Sequence, residues 1–247
     1  MSDNGITLYS ETDYFKVFPK PECVFASDVK KHMRHFLPLA TVDLSSINPD
    51  WSDTIHFIVP IGPEDSVIGE TTTEYHTYYS CFNWVGFQYR DGMCNYSGDW
   101  RLLITDTNPE YYHAAIDGYE TARKHFEKNK GLHYVGKKPD ENGDTFDSDN
   151  PRPLVEQLGG ECYDLNWANM GNFDIARFGN WVETYNGEKE DNKKVRPLTE
   201  DGRPFEYIGF INADFYNMNE KTDHTWTDSF LFYDPVSKMS LITFDWT

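Results

Sequence analysis

The densest run of oxygen ligands in the chain is Asp140-Glu141-Asn142-Gly143-Asp144, followed by Asp147 and Asp149. Asp140, Asn142 and Asp144 alternate as side-chain oxygens do around a hard cation such as calcium. An EF-hand loop would also need glycine at its sixth position and a bidentate carboxylate at its twelfth. Here Gly143 is fourth and Pro151 is twelfth, so the run reads as a solvated acidic loop and not as a cation cage. His32 and His35 are spaced i, i+3, which lets one helix face offer two imidazoles to a metal. No acidic ligand accompanies them, and Lys30, Lys31, His32 and Arg34 read instead as a basic helix face. Asp223-His224 pairs a carboxylate with an imidazole, yet the chain has no Gly-x-Ser-x-Gly elbow to supply a nucleophile. Neither the dinucleotide glycine fingerprint nor the phosphate-binding P-loop occurs. Cys23, Cys81, Cys94 and Cys162 form no C-x-x-C pair and read as reduced packing residues. The expectation is therefore no catalytic residue, no metal and no cofactor.

Positioning such residues requires elements, and two segments carry helix signals. Ser27 and Asp28 precede apolar Val29, Met33, Phe36 and Leu37, with Pro38 expected to stop the run. The stronger signal runs from Asn108 to Lys130. Asn108 caps it, Pro109 takes the first helical position, and Tyr112, Ala115, Ile116, Tyr119, Ala122 and Phe126 recur at helical spacing. Its opposite face would carry Glu110, Asp117, Glu120 and Glu127, an acidic surface open to a partner.

Strands are expected at 54–61, 78–89, 100–105, 132–135, 205–216, 229–233 and 240–246, all rich in aromatic and β-branched residues. Asp91-Gly92 and Asp234-Pro235 each sit between two such runs, which predicts two antiparallel hairpins. Gly159-Gly160 interrupts a packable stretch and predicts a sharp turn or a close backbone approach. The fold class expected is α+β, mostly antiparallel sheet with hairpins and a few flanking helices. Residues 1–247 read as one domain, divisible into lobes 1–136 and 154–247 joined by the acidic loop 137–153.

Charge narrows the function. There are 41 acidic against 22 basic side chains, a net −19, and a phosphate-gripping face would have to be built against that field. The acidity is pervasive, net −8 over residues 1–136 (19 acids, 11 bases) and −11 over 137–247 (22 acids, 11 bases). An aromatic content of 16% separates the chain from disordered acidic tails, which cannot bury enough apolar surface to fold. No apolar run approaches the ~20 residues of a membrane span, and the residues after Met1 lack a signal-peptide pattern. A cytoplasmic location is expected, with a basic protein partner, no nucleic acid and no membrane; the charge does not specify an oligomeric state.

The order Leu158-Gly159-Gly160, then Phe205 to Asn212, then Trp226-Thr227-Asp228-Ser229-Phe230-Leu231-Phe232 resembles the YwqG-like family of bacterial proteins. The resemblance covers roughly the last 95 residues. Phe210 stands where that family has glutamine, no proline follows the glycines, and Thr227 replaces a glycine. The resemblance implies an intracellular α+β protein, with Gly159, Gly160, Trp226 and Asp228 as fold markers and no catalytic residue to carry over. Relatives of this kind occur beside bacterial polymorphic toxin genes, so the resemblance implies an immunity protein.

The leading expectation is a non-enzymatic protein-binding protein, an antitoxin that occludes a basic toxin sterically and electrostatically. Its contact residues would come from Glu110, Asp117, Glu120 and Glu127 and from Asp140, Glu141, Asp144, Asp147 and Asp149. The alternatives are a carbohydrate-active enzyme or sugar-binding module using paired carboxylates and aromatic stacking, and an acidic mimic of nucleic acid.

Overall fold

The computed structural model describes residues 5–61, 67–103, 109–133, 151–163, 166–170, 174–178, 182–183, 189–190, 194–217 and 227–246. β1 (Ile6–Leu8) and β2 (Phe15–Val17) lead into two short helices, α1 (Pro21–Val24) and α2 (Val29–His35). Next come β3 (Phe36–Asp43), β4 (Thr54–Pro60), β5 (Trp84–Arg90), β6 (Met93–Tyr96) and the long helix α3 (Pro109–Asn129). After α3 follow β7 (Val155–Leu158), β8 (Ile175–Phe178), β9 (Val182–Glu183), β10 (Lys189–Glu190), β11 (Lys194–Pro197), β12 (Glu206–Asn212), β13 (Thr227–Asp234) and β14 (Met239–Trp246).

The main sheet has seven strands in the order β1-β7-β12-β13-β14-β5-β6, every neighbouring pair antiparallel. A three-stranded sheet, β2-β3-β4, and two small ladders, β9/β10 and β8/β11, complete the strand pairing among the described residues. Antiparallel sheet thus dominates, with the helices flanking it. The segments on either side of the acidic loop share the main sheet. β1, β5 and β6 come from one, and β7, β12, β13 and β14 from the other.

Side-chain alternation makes the main sheet a two-sided core. Leu231, Tyr233, Ile242 and Phe244 join Val85 and Phe87 in a cluster with Phe15, Phe36 and Phe57 of the small sheet and with Tyr119 and Phe126 of α3. Phe230, Phe232, Tyr207, Leu241 and Trp84 face the other way and pack on Trp167, Phe205, Cys162 and Val195. A sheet covered on both faces needs apolar residues at consecutive positions, which is why Phe230-Leu231-Phe232-Tyr233 shows no polar alternation. Trp84 and Trp167 are fully buried and meet edge to face at 5.5 Å. At about 25 cal/mol per Å² over roughly 200 Å², each contributes up to about 5 kcal/mol of burial.

The two hairpins form at the expected turns. Arg90 pairs with Met93 around Asp91 and Gly92, whose φ values of +52° and +77° suit a two-residue primed turn. Asp234 pairs with Met239 at the other. There the buried Asp234 carboxylate accepts from Val236 N, Ser237 N, Ser237 Oγ and Arg203. Burial works to raise its pKa, and these donors more than reverse that, holding it below the ordinary value.

Gly209 sits where β12 shifts register, at φ +155°. A Cβ there would lie 2.2 Å from the carbonyl oxygen of Gln157, so only glycine lets β12 approach β7 this closely.

Several expectations are corrected. α2 ends at His35, and Phe36, Leu37 and Pro38 belong to β3, a strand buried along most of its length, with a register shift after Pro38. Proline there ends no helix; it marks an irregular place in a ladder. Asp28 caps α2 in a left-handed conformation without a side-chain capping bond. Trp100–Leu102 is a 3-10 turn, as is Ala213–Tyr216, because Asp99 and Asn212 side chains accept backbone N–H bonds two residues on and bend the chain. Leu132 bridges Arg152, and residues 134–135 of the strand expected there lie outside the described residues. Cys23 is exposed, unlike the other three cysteines, which are buried, and all four are free thiols.

Candidate functional site

Two places gather groups with chemical potential. The first lies inside the main sheet. Asp228 of β13 stands directly opposite Asp245 of β14 in the ladder, and Asn212 of β12 stands opposite Asp228 on its other side. Directly opposed residues on neighbouring strands hold their Cβ atoms about 4.5–5.5 Å apart, so two carboxyl groups are pressed together. Asp245 is only 6% exposed and Asp228 is half-buried. Burial, followed by the charge of Asp245, pushes the Asp228 carboxyl up to about 6, against a hydrogen bond from Asn212 that favours its anion. Glu156 of β7 is raised as well, by burial and then by Asp228, with Arg152 opposing. Like charges this close cannot both ionise cheaply, so the pair holds a proton that isolated aspartates would release.

The second place is at the surface. The ladder of β8 with β11 pairs Ile175 with Pro197, and Leu198 N then donates to Asp174 O at 2.9 Å. That register brings Asp174 beside the turn carrying Glu200 and Asp201. Tyr78 and Tyr79 lie against this turn, their rings edge to face with each other and centroids 4.8 Å apart. Tyr78 OH donates to Leu198 O at 3.4 Å, and Tyr79 OH accepts from Glu200 N at 3.1 Å. Burial, then Tyr79 and the charges of Asp174, Glu200 and Asp201, raise the Tyr78 hydroxyl above its ordinary pKa.

All three acids here are exposed and both tyrosines half-exposed. Asp201 is committed internally. It accepts from Thr199 Oγ1 at 2.6 Å and pairs with Arg203, which also bridges to Asp234. Among the described residues, Asp174 and Glu200 enter no ion pair. Aromatic rings flanked by unspent carboxylates can take up an ammonium or guanidinium group, by cation–π contact and charge-assisted hydrogen bonds together.

The acids expected on α3 are less available. Asp117 is exposed, but Arg123 pairs with Glu120 and reaches Glu127 at 3.8 Å, so that face is partly neutralised from within. The Glu110 side chain, Trp226, and Asp140, Glu141, Asp144, Asp147 and Asp149 lie outside the described residues. Gly159 and Gly160 follow β7 with φ +70° and +80°, and Gly159 N donates to Ile208 O at 2.8 Å. The double glycine is thus a turn that keeps β7 against β12. Asp228 enters the carboxyl pair. His32 does not join Lys30, Lys31 and Arg34 in the expected basic face, because it is buried, as is His35. His32 stacks on Phe25 at 4.6 Å, Nδ1 faces Asp28 O, and Nε2 accepts from Tyr96 N, so neither nitrogen is left for a metal. Among the described residues no group of three or more His, Cys, Asp or Glu could hold a metal ion, and no helix is long and apolar enough to cross a membrane.

Sequence reasoning passed over Tyr78, Tyr79, Asp174, Glu200 and Asp201, which come from three separate segments with no shared motif. No protein-family model matches the chain, and no curated protein or solved structure matches it significantly.

Proposed function

We propose that this protein works by binding a basic protein partner, as a cytoplasmic immunity protein blocks its toxin. The observation that supports the reading is the surface formed by Tyr78, Tyr79, Asp174 and Glu200, with aromatic rings beside carboxylates that enter no ion pair among the described residues. Aromatic anchors of this kind carry the affinity of interfaces, whereas peripheral charges set approach and specificity. A lysine or arginine of the partner would lie against the Tyr78 ring between Asp174 and Glu200. The net charge of −19 would speed the encounter. Inhibition would follow from the bulk of the sheet covering the partner's working surface. The toxin context rests on the resemblance to the YwqG-like family.

The test is to purify the product of the adjacent gene, measure its affinity for this protein by calorimetry, and assay its activity with and without it. Tyr78→Ala should weaken binding about tenfold or more, and Glu200→Lys should slow association most at low salt. A neighbour that does not bind, or that keeps full activity when bound, sinks the proposal.

A carbohydrate reading has one observation in its favour, that Asp228 and Asp245 are two carboxylates directly opposed in the ladder. Asp245 is buried in the sheet at 6% exposure, which suits a proton held within the fold better than a pair lining a sugar cleft.

A further inference from the structure

α3 ends at Asn129, and the chain turns through Lys130 at φ +57°, so that His133 comes back alongside His125. Nε2 of His125 lies 3.1 Å from Nδ1 of His133, with ring planes at 68°. Both rings are half-buried. Burial, then the neighbouring His133 and Lys128, lowers the pKa of His125 from its ordinary value.

Two imidazole nitrogens 3.1 Å apart can ligate one ion once their lone pairs turn from each other toward a common point. With metal–nitrogen bonds of about 2.05 Å, that separation corresponds to an N–metal–N angle of about 98°, between octahedral and tetrahedral values. We propose that His125 and His133 form a two-imidazole site for a divalent transition-metal ion of the zinc type.

The protons balance. In the metal-free pair one ring's N–H points at the other ring's lone pair. Coordination needs both lone pairs, so that hydrogen moves to the donor ring's outer nitrogen, and two neutral rings release no proton. If His125 is the donor, the hydrogen moves to its Nδ1; the side-chain amide nitrogen of Asn129 lies 3.1 Å from both Nδ1 and Nε2 of that ring. Amide orientation is set by the hydrogen-bond network, and with its carbonyl turned inward Asn129 would hold that N–H, as outer partners of metal-bound histidines do. The carbonyl end of a helix of 21 residues also favours a cation. Lys128 and Lys130 oppose it, but both are exposed and screened by solvent. Water would complete the coordination.

The experiment is a calorimetric titration of ZnCl2 into the full chain at pH 7.5, compared with His125→Ala, His133→Ala and the exposed control His113→Ala. Circular dichroism checks that each variant is folded, and His133, on the turn after α3, tolerates replacement even if His125 does not. One saturable zinc site is expected, unchanged in His113→Ala and weakened about tenfold or more in both other variants. At pH 5.5, where imidazoles protonate, it should weaken sharply. Absence of saturable binding overturns the proposal, as does a zinc site that survives removal of either His125 or His133.

Discussion

Replacing Asp228 by asparagine should stabilise the protein at pH 7.5 and change little at pH 4.0. In the folded chain the Asp228 carboxyl keeps its proton up to about pH 6, against an ordinary 3.8, because of burial and of Asp245 opposite. Glu156 adds a further acidic neighbour, against the donor that Asn212 offers to the anion. Between these two pH values the native state binds more protons than the unfolded chain, so stability falls as pH rises. The contribution is fully present below about 3.8 and lost above about 6.

At about 1.36 kcal/mol per pH unit the interval corresponds to about 3 kcal/mol. Asp228 is only half-buried, and solvent screening reduces this to about 1–2 kcal/mol. For a chain of this size Asp228→Asn should then raise the melting temperature by about 2–8 °C at pH 7.5 relative to wild type. The assay is paired thermal unfolding of wild type and variant at both pH values, read as the difference between them so that other titrating groups cancel. Equal or greater destabilisation at pH 7.5 than at pH 4.0 would mean that the Asp228 anion is favoured in the fold, and the argument from the opposed pair would be wrong.

Asp234→Ala should cost about 3 kcal/mol, since it strands the turn donors and the Arg203 guanidinium. Because the Asp234 pKa is depressed in the fold, the gap to wild type should narrow as pH falls below the ordinary carboxylate value, as measured by urea unfolding. Gly209→Ala should cost more than about 1 kcal/mol, through the clash with Gln157 O and the unfavourable φ. An unchanged urea midpoint would show that β12 and β7 can separate at little expense.

How much of this was legible depended on distance along the chain. The Asp234-Pro235 turn was readable, and so were the strands on either side. Closing the hairpin with Asp234 opposite Met239 places Asp228 opposite Asp245 by counting, since both lie six residues from the closing pair. That pair was within reach of the sequence, and only the turn length was missing. α3 was readable because its apolar period of 3.6 persists from Tyr112 to Phe126. β3 was not, because Phe36 and Leu37 continue the apolar spacing of α2, and a proline inside a buried strand mimics a helix stop. The Tyr78 surface had no local signature. It exists because β8 meets β11 in one register, a choice made by tertiary packing of Ile175 and Val195 on the aromatic core. His125 and His133 escaped notice for a related reason: eight residues apart, they would stand about 12 Å from each other along a continuous helix, and a reversal at Lys130 brings them together.

The position of β13 and β14 in the middle of the main sheet bears on how the chain is made. Both are synthesised after β1, β5, β6, β7 and β12, yet among the described residues β14 alone joins β5 to the rest of the main sheet, and β13 alone joins β12 to β14. Until that hairpin leaves the ribosome, the strands it joins would lack their central partners, leaving apolar segments and strand edges uncovered, the situation in which chains misassociate. Ribosomes stalled short of residue 227 should therefore carry a nascent chain that chaperones hold, and its release should follow the emergence of this one hairpin.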